Sequence, residues 1–251
     1  MKRGVANAFT IIELLVSISI LALLIAIIAP SLGKTMAHAR SSKEAVAERN
    51  LFAALSMYMN DSKEGFPHFG PVGDPFGSSH INGLTTTEGL YFKVHASYWA
   101  TLLVPNYVPD RSSLEDEETT RVMIEKGREG LILARSAMTM TAFADPRAFA
   151  LNMANQKLDF THYRGTRLNE VAFPSQKIIL ATGYGGGNQD GKKIGFNGGH
   201  PCVYADGSVK IFTEAQLETF AYTSHAMIGS IPIHTTIGGL AGRDVPATNN
   251  D

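Results

Sequence analysis

Cysteine, tryptophan and an excess of charge of either sign are scarce in this sequence. A single cysteine, Cys202, excludes an intramolecular disulfide. Charged residues make up 18% of the chain and the formal net charge is −1, so no basic field indicates binding to nucleic acid. The glycine-rich patterns G-x-x-x-x-G-K-[ST] and G-x-G-x-x-G are also missing from any strand-loop-helix context. We therefore expect no nucleotide-binding site of those two types.

A long apolar run is present, from Phe9 to Ala29. As an α-helix rising ~1.5 Å per residue, it is long enough to cross a hydrocarbon core of ~30 Å. It contains no Lys or Arg and a single charged residue, Glu13. Because its apolar residues lie on every face of the helix, the run predicts a membrane span or a signal sequence that is removed.

Glu13 is a functional candidate because a carboxylate near the start of an apolar span costs up to a few kcal/mol. If the chain is cut between Ala8 and Phe9, the new α-amino group of Phe9 lies four residues away on the same helix face. The amine of a neighbouring copy could satisfy the carboxylate equally well and would make it an assembly contact. Alternatively, Glu13 extends to the lipid headgroups without any partner. Physical arguments alone leave these alternatives open.

The N-terminal residues resemble the leader and cleavage site of type IV pilins and type II secretion pseudopilins. The resemblance rests on Lys2, Arg3 and the segment AFTIIELLV that begins at Ala8. It implies cleavage by a prepilin peptidase between Ala8 and Phe9 and N-methylation of Phe9. It also implies a role for Glu13 in assembly and a helix kink at Pro30. The family usually has Gly before the cut, where this chain has Ala8.

The same resemblance and the hydrophobic pattern together predict an α+β, pilin-like fold. A long N-terminal helix, transmembrane in its first half, is expected to pack on a small antiparallel β-sheet with long loops. The predicted segments are a leader at 1–8, a transmembrane helix at 9–29, its amphipathic continuation at 30–61, a globular α+β domain at 62–228 and a mobile tail at 229–251.

Local patterns predict several elements inside the domain. The apolar, β-branched segment from Gln176 to Thr182 predicts a buried strand. Two further strands flank Asp206 and Gly207, which predict a hairpin with a two-residue type I′ turn. Thr213, three residues before Gln216, predicts a capping box that begins a short helix ending near Tyr222. Trp99 is interpreted as a core residue.

The hairpin also loosely resembles the H-x9-D-G region near the C-terminus of many proteins with prepilin-type N-termini. Asp206 and Gly207 match that motif, but Phe196 stands where the histidine is expected and His200 is displaced by four positions. Asp206 is expected to hold the turn. The alternative is a calcium site with Asp190, although calcium takes six to eight oxygen ligands and the sequence offers two carboxylates.

A second metal alternative involves two histidines of the loop that follows the long helix. His68 and His80, with Asp74 between them, match no compact ligand spacing. Solvated loop histidines are the simpler interpretation. We therefore expect no metal and no other cofactor.

The expected function is structural rather than enzymatic: a subunit of a type II secretion pseudopilus or a type IV pilus-like filament. Its implied partners are a prepilin peptidase, other copies or related pilin-like subunits and an inner-membrane assembly platform. The implied location is the inner membrane, crossed once, with the N-terminus cytoplasmic and the C-terminal domain periplasmic or extracellular.

Two alternatives stay open at the level of the sequence. One is a secreted or membrane-anchored hydrolase whose ordinary signal peptide ends near Gly33, although no nucleophile elbow or zincin motif occurs. The other is a membrane-anchored module that binds carbohydrate or a partner protein. It differs from the filament subunit only in that it does not polymerise.

Overall fold

The computed structural model describes residues 10–69, 80–81, 84–85, 91–115, 121, 124–125, 127, 130–150, 160–182, 199–223 and 231–246. The chain divides into two compact units, Met1–Arg40 and Ser41–Asp251. The described residues include the α-helices α1 (Ile11–Asp61), α2 (Tyr91–Tyr98) and α3 (Glu214–Leu217). The strands are β1 (His80–Ile81), β2 (Leu84–Thr85), β3 (Ser136–Met138), β4 (Ile178–Thr182), β5 (His200–Tyr204) and β6 (Val209–Phe212).

The first unit contains the apolar part of α1. Over Ile11–Ala29 the mean hydropathy is 3.0 and none of the residues is buried within the chain. The prediction of a helix capable of crossing a membrane is confirmed, and a membrane anchor and a signal sequence both meet this description. The helix continues through position 30, so Pro30 does not end it although proline removes one backbone donor.

The second unit is built around a four-stranded antiparallel sheet with the strand order β3-β4-β5-β6. Strand β4, predicted from its β-branched apolar residues, is central and fully buried. It pairs with β3 through Ser136 and Thr182, among other positions. The combination of helix and small antiparallel sheet confirms the α+β class in its general form.

One face of this sheet is covered by the later part of α1 and by the segment that contains the only tryptophan. Phe52, Leu55 and Met59 of α1 are buried in a core cluster with Trp99 and Val203. The Trp99 indole Nε1 donates a hydrogen bond to the Ser136 carbonyl at 3.0 Å. The interpretation of Trp99 as a core residue is confirmed.

The opposite face is covered by α3 and by Ile231 and Ile233, which belong to the segment 231–246 that the sequence assigned to a mobile tail. That prediction is wrong for these residues, because Ile233, Leu240 and Asp244 are buried. Backbone hydrogen bonds tie the segment to the rest of the unit, including one from Asp244 N to the Gln176 carbonyl at 2.7 Å. A composition rich in Gly and Thr indicates turns here, and the turns are packed.

The β5–β6 hairpin forms where the sequence places it, but the type I′ turn is wrong. Only Gly207 of the Asp206-Gly207 pair has a positive φ, of 81°. Gly207 N donates to the Tyr204 carbonyl and Tyr204 N donates to the Ser208 carbonyl, both at 2.9 Å. These bonds define a three-residue loop in which a left-handed glycine follows the turn. Ala205 N also donates to the Lys177 carbonyl at 2.9 Å, which draws the loop towards the start of β4.

The capping box after β6 is confirmed. The Thr213 hydroxyl accepts a hydrogen bond from Gln216 N at 3.3 Å, and the Gln216 side chain accepts one from Thr213 N at 2.8 Å. Helix α3 is shorter than predicted and ends at Leu217.

Candidate functional site

Glu13 begins the apolar helix as the second half of a capping box. Its Oε2 accepts hydrogen bonds from Thr10 N at 2.9 Å and from the Thr10 hydroxyl at 2.8 Å. Glu13 N in turn donates to the Thr10 hydroxyl oxygen at 3.2 Å. The first backbone donors of a helix have no partner inside the helix, so this arrangement stabilises its N-terminus.

The capping box uses one carboxyl oxygen of Glu13. Among the described residues, no hydrogen-bond donor reaches the other oxygen, Oε1. The predicted cleavage site, Ala8 and Phe9, lies outside the described residues, as does the predicted amine partner. Because Thr10 and Glu13 both remain after a cut behind Ala8, the capping box and a second contact at Oε1 are compatible.

The other polar side chains near the start of the span bond within the helix. The Ser17 hydroxyl donates to the Glu13 carbonyl and the Ser19 hydroxyl to the Leu15 carbonyl, both at 2.7 Å. Such bonds to the preceding turn leave no hydroxyl that requires water. Glu13 is the one ionisable side chain of Ile11–Ala29. It lies at the N-terminal end of the span, where the helix dipole favours an anion.

The C-terminal motif residues lie in the second unit, apart from this site in the chain. Asp206 Oδ1 accepts a hydrogen bond from Ser208 N at 2.9 Å, which is the turn-holding role expected of it. A Cβ added to Gly207 would lie 3.2 Å from Phe52 Cε1 of α1, so the hairpin loop approaches the helix closely. Phe196 and the alternative calcium ligand Asp190 lie outside the described residues.

No group of three or more His, Cys, Asp or Glu side chains that could hold a metal ion occurs in the part of the chain that the structure describes. His68 contacts aromatic residues: its Nε2 lies 2.6 Å from the Tyr91 hydroxyl and its ring centroid 4.5 Å from that of His95. Asp74 lies outside the described residues. His68 thus belongs to an aromatic cluster.

Sequence reasoning missed an ion pair in the core of the second unit. Lys177 Nζ lies 3.0 Å from Asp244 Oδ2, and both side chains are fully buried. The ammonium also donates to the Thr236 hydroxyl at 2.7 Å, and Ile178 N donates to Asp244 Oδ2 at 2.7 Å. Burial lowers the pKa of Lys177, against the opposing effect of Asp244. A lysine at the start of a strand predicted to be buried was the available signal.

Sequence reasoning also missed Glu48, a buried carboxyl on the later part of α1. It is 3% exposed, and its Oε1 accepts a hydrogen bond from the hydroxyl of Thr182 on β4. Burial raises the pKa of Glu48 to about 7 despite that bond. Its position in an amphipathic helix gave no indication that this particular acid faces the sheet.

No protein-family model, no curated protein and no solved structure matches the chain. A functional assignment therefore rests on the chain's own residues.

Proposed function

We propose that this chain is a pilin-like structural subunit of a type II secretion pseudopilus or a type IV pilus-like filament, rather than an enzyme. The observation that best supports this is the helix Ile11–Ala29, whose side chains are all exposed within the chain and whose single ionisable residue, Glu13, begins it. Such a helix must find its apolar neighbours outside its own chain, in lipid or in other helices.

The proposal assigns three successive states to the chain. A prepilin peptidase cuts between Ala8 and Phe9, and Phe9 is methylated. The helix then holds the subunit in the inner membrane, with the globular unit on the periplasmic or extracellular side. An assembly platform next transfers the subunit to other copies or related subunits. There the Oε1 atom of Glu13 accepts a hydrogen bond from the N-terminal amine of an incoming subunit.

The first experiment is the mass of the N-terminal peptide of the protein purified from its own membranes. A chain that begins with methylated Phe9 supports the proposal. A start near Lys34 would contradict it and indicate a secreted protein with an ordinary signal peptide. An intact Met1 would indicate an anchored protein that does not enter a filament.

The assembly role of Glu13 has its own prediction. Glu13→Leu should still insert into the membrane, because it removes the only charge of the span, but its crosslinked multimers should fall at least tenfold since the intersubunit contact is lost. Ser19→Ala is the matched control, because the Ser19 hydroxyl bonds only within the helix. Normal multimer formation by Glu13→Leu would contradict an assembly role for this carboxylate.

A further inference from the structure

The buried Glu48 lies between helix α1 and two neighbouring strands. Its partner Thr182 on β4 is the cross-strand partner of Ser136 on β3. Ser136 and Thr182 are both completely buried. The Glu48 carboxyl therefore lies on the helix side of the sheet, where β3 pairs with β4. Glu48, Ser136 and Thr182 are together called the Glu48 site.

One hydrogen bond that the Glu48 site could form is not made. Glu48 Oε2 and the Ser136 hydroxyl are buried and have no hydrogen-bond partner among the described residues. The Ser136 hydroxyl is nonetheless close enough to lower the pKa of Glu48. The Thr182 hydroxyl donates to Glu48 Oε1, and a protonated carboxyl can donate from Oε2 to the Ser136 hydroxyl oxygen. An ionised carboxylate in the same place is a buried charge with no cation from the described residues in hydrogen-bond contact.

The surrounding charged groups do not neutralise that charge. On α1, Glu44 lies one turn away and disfavours the ionised form, whereas Arg135, next to β3, favours it. Arg135 Nη1 lies 3.9 Å from Glu44 Oε2, so it faces Glu44. On β5, Cys202 is a buried thiol whose pKa is raised well above its usual range by burial, and His200 Nδ1 lies 3.0 Å from the Thr182 carbonyl. On β4, Thr182 itself is uncharged.

We propose that Glu48 is a proton-dependent contact between α1 and the sheet: its protonated carboxyl joins Ser136 and Thr182 and holds this part of the helix on β3 and β4, and loss of the proton loosens the contact. The folded chain binds this proton more tightly than the unfolded chain does. The stabilisation is therefore fully present below the ordinary pKa of 4.5, declines as the pH rises and is lost above about 7. This inference does not depend on filament assembly.

The test is amide hydrogen exchange of the full chain in detergent micelles, expressed as protection factors so that the intrinsic pH dependence is removed. Between about pH 5.5 and about pH 8, we expect protection of the amides around Glu48 and in β4 to fall about twentyfold. Glu48→Gln keeps the shape without the charge, so its protection should stay constant over this range. Other effects of pH on the chain are common to both proteins and cancel in the comparison.

Glu44→Gln is the matched control, because Glu44 lies on the same helix with its side chain 20% exposed. It should keep most of the twentyfold fall, which becomes smaller only because Glu44 disfavours the ionised form of Glu48. An equal fall in the Glu48→Gln chain, or none in the wild-type chain, would overturn the proposal. If Glu48→Gln does not fold, carboxyl NMR of the wild-type chain decides: a Glu48 midpoint near 7 supports the proposal and one near 4.5 contradicts it.

Discussion

The two parts of helix α1 share one backbone conformation and have opposite environments. From Ile11 to Ala29 every side chain is exposed, whereas Leu55 and Met59 are 0% and 2% exposed. The early part is apolar on all sides, and the later part has one apolar face that the sheet covers. Helical conformation in α1 is therefore local, whereas the burial of its side chains depends on what the rest of the chain supplies.

One ionisable group from each unit shows the same contrast between an exposed and a buried environment. Glu13 is exposed and accepts hydrogen bonds from Thr10, three residues away. Lys177 is buried and is paired with Asp244, far along the sequence. The first arrangement stabilises a helix end, and the second joins the C-terminal segment to the start of β4. Their removal should therefore have very different consequences.

The largest expected effect is that of breaking the buried pair. Lys177→Met leaves the Asp244 carboxylate without its cation in the core, which should lower the free energy of unfolding by about 3–5 kcal/mol. Denaturant unfolding in detergent, followed by the fluorescence of the single tryptophan, measures it. The double variant Lys177→Met/Asp244→Leu should recover part of the loss because no unpaired charge remains. Glu13→Gln should leave the unfolding midpoint unchanged, and a shift like that of Lys177→Met would contradict this contrast.

The second-largest change in stability is expected when the same substitution is made in each of the two parts of α1. Leu55 is fully buried and Leu23 is 63% exposed. Leu55→Ala leaves a cavity against the sheet and should lower the free energy of unfolding by about 2–5 kcal/mol. Leu23→Ala should change the same quantity by less than about 0.5 kcal/mol. Equal losses of unfolding free energy for the two variants would contradict this contrast and mean that the early part of α1 also contributes to the core of the second unit.

Local signals made part of this fold predictable. The apolar span, strand β4, the β5–β6 hairpin and the Thr213 capping box each depend on neighbouring residues, and each was found from the sequence. The prediction of a type I′ turn was wrong because a long-range hydrogen bond, from Ala205 N to the Lys177 carbonyl, holds the loop in another conformation. A dipeptide rule contains no information about that contact.

Contacts between distant residues were out of reach of the same reasoning. Ser136 pairs with Thr182, and Glu48 bonds to the same threonine from another part of the chain. Nothing near Glu48 in the sequence distinguishes it from the exposed acids of the helix. The packed C-terminal segment was missed for the same reason, since the partner of Asp244 is Lys177, directly before β4 and far away in the sequence. Of the candidate site, the sequence pointed to Glu13 and its place in the span, while the capping geometry required the structure.

The smallest effect compares two glycines, one in each unit. Gly207 has a φ of 81°, and an added Cβ would lie 3.2 Å from Phe52 Cε1. Gly207→Ala should therefore lower the free energy of unfolding by about 1–2 kcal/mol. Gly33 lies inside α1, where an added Cβ meets nothing within 4 Å. Gly33→Ala should stabilise the helix by about 0.5–1 kcal/mol, because glycine loses more backbone freedom there than alanine.

Denaturant unfolding measures the Gly207 variant, and thermal loss of far-ultraviolet circular dichroism in detergent measures the Gly33 variant. Gly207→Asn is the control, because asparagine tolerates a positive φ better than alanine does and should recover part of the loss. If Gly207→Ala is neutral, the loop can change its conformation without cost and the close approach to Phe52 contributes nothing. If Gly33→Ala destabilises the helix, the expectation that glycine costs backbone freedom at position 33 is contradicted.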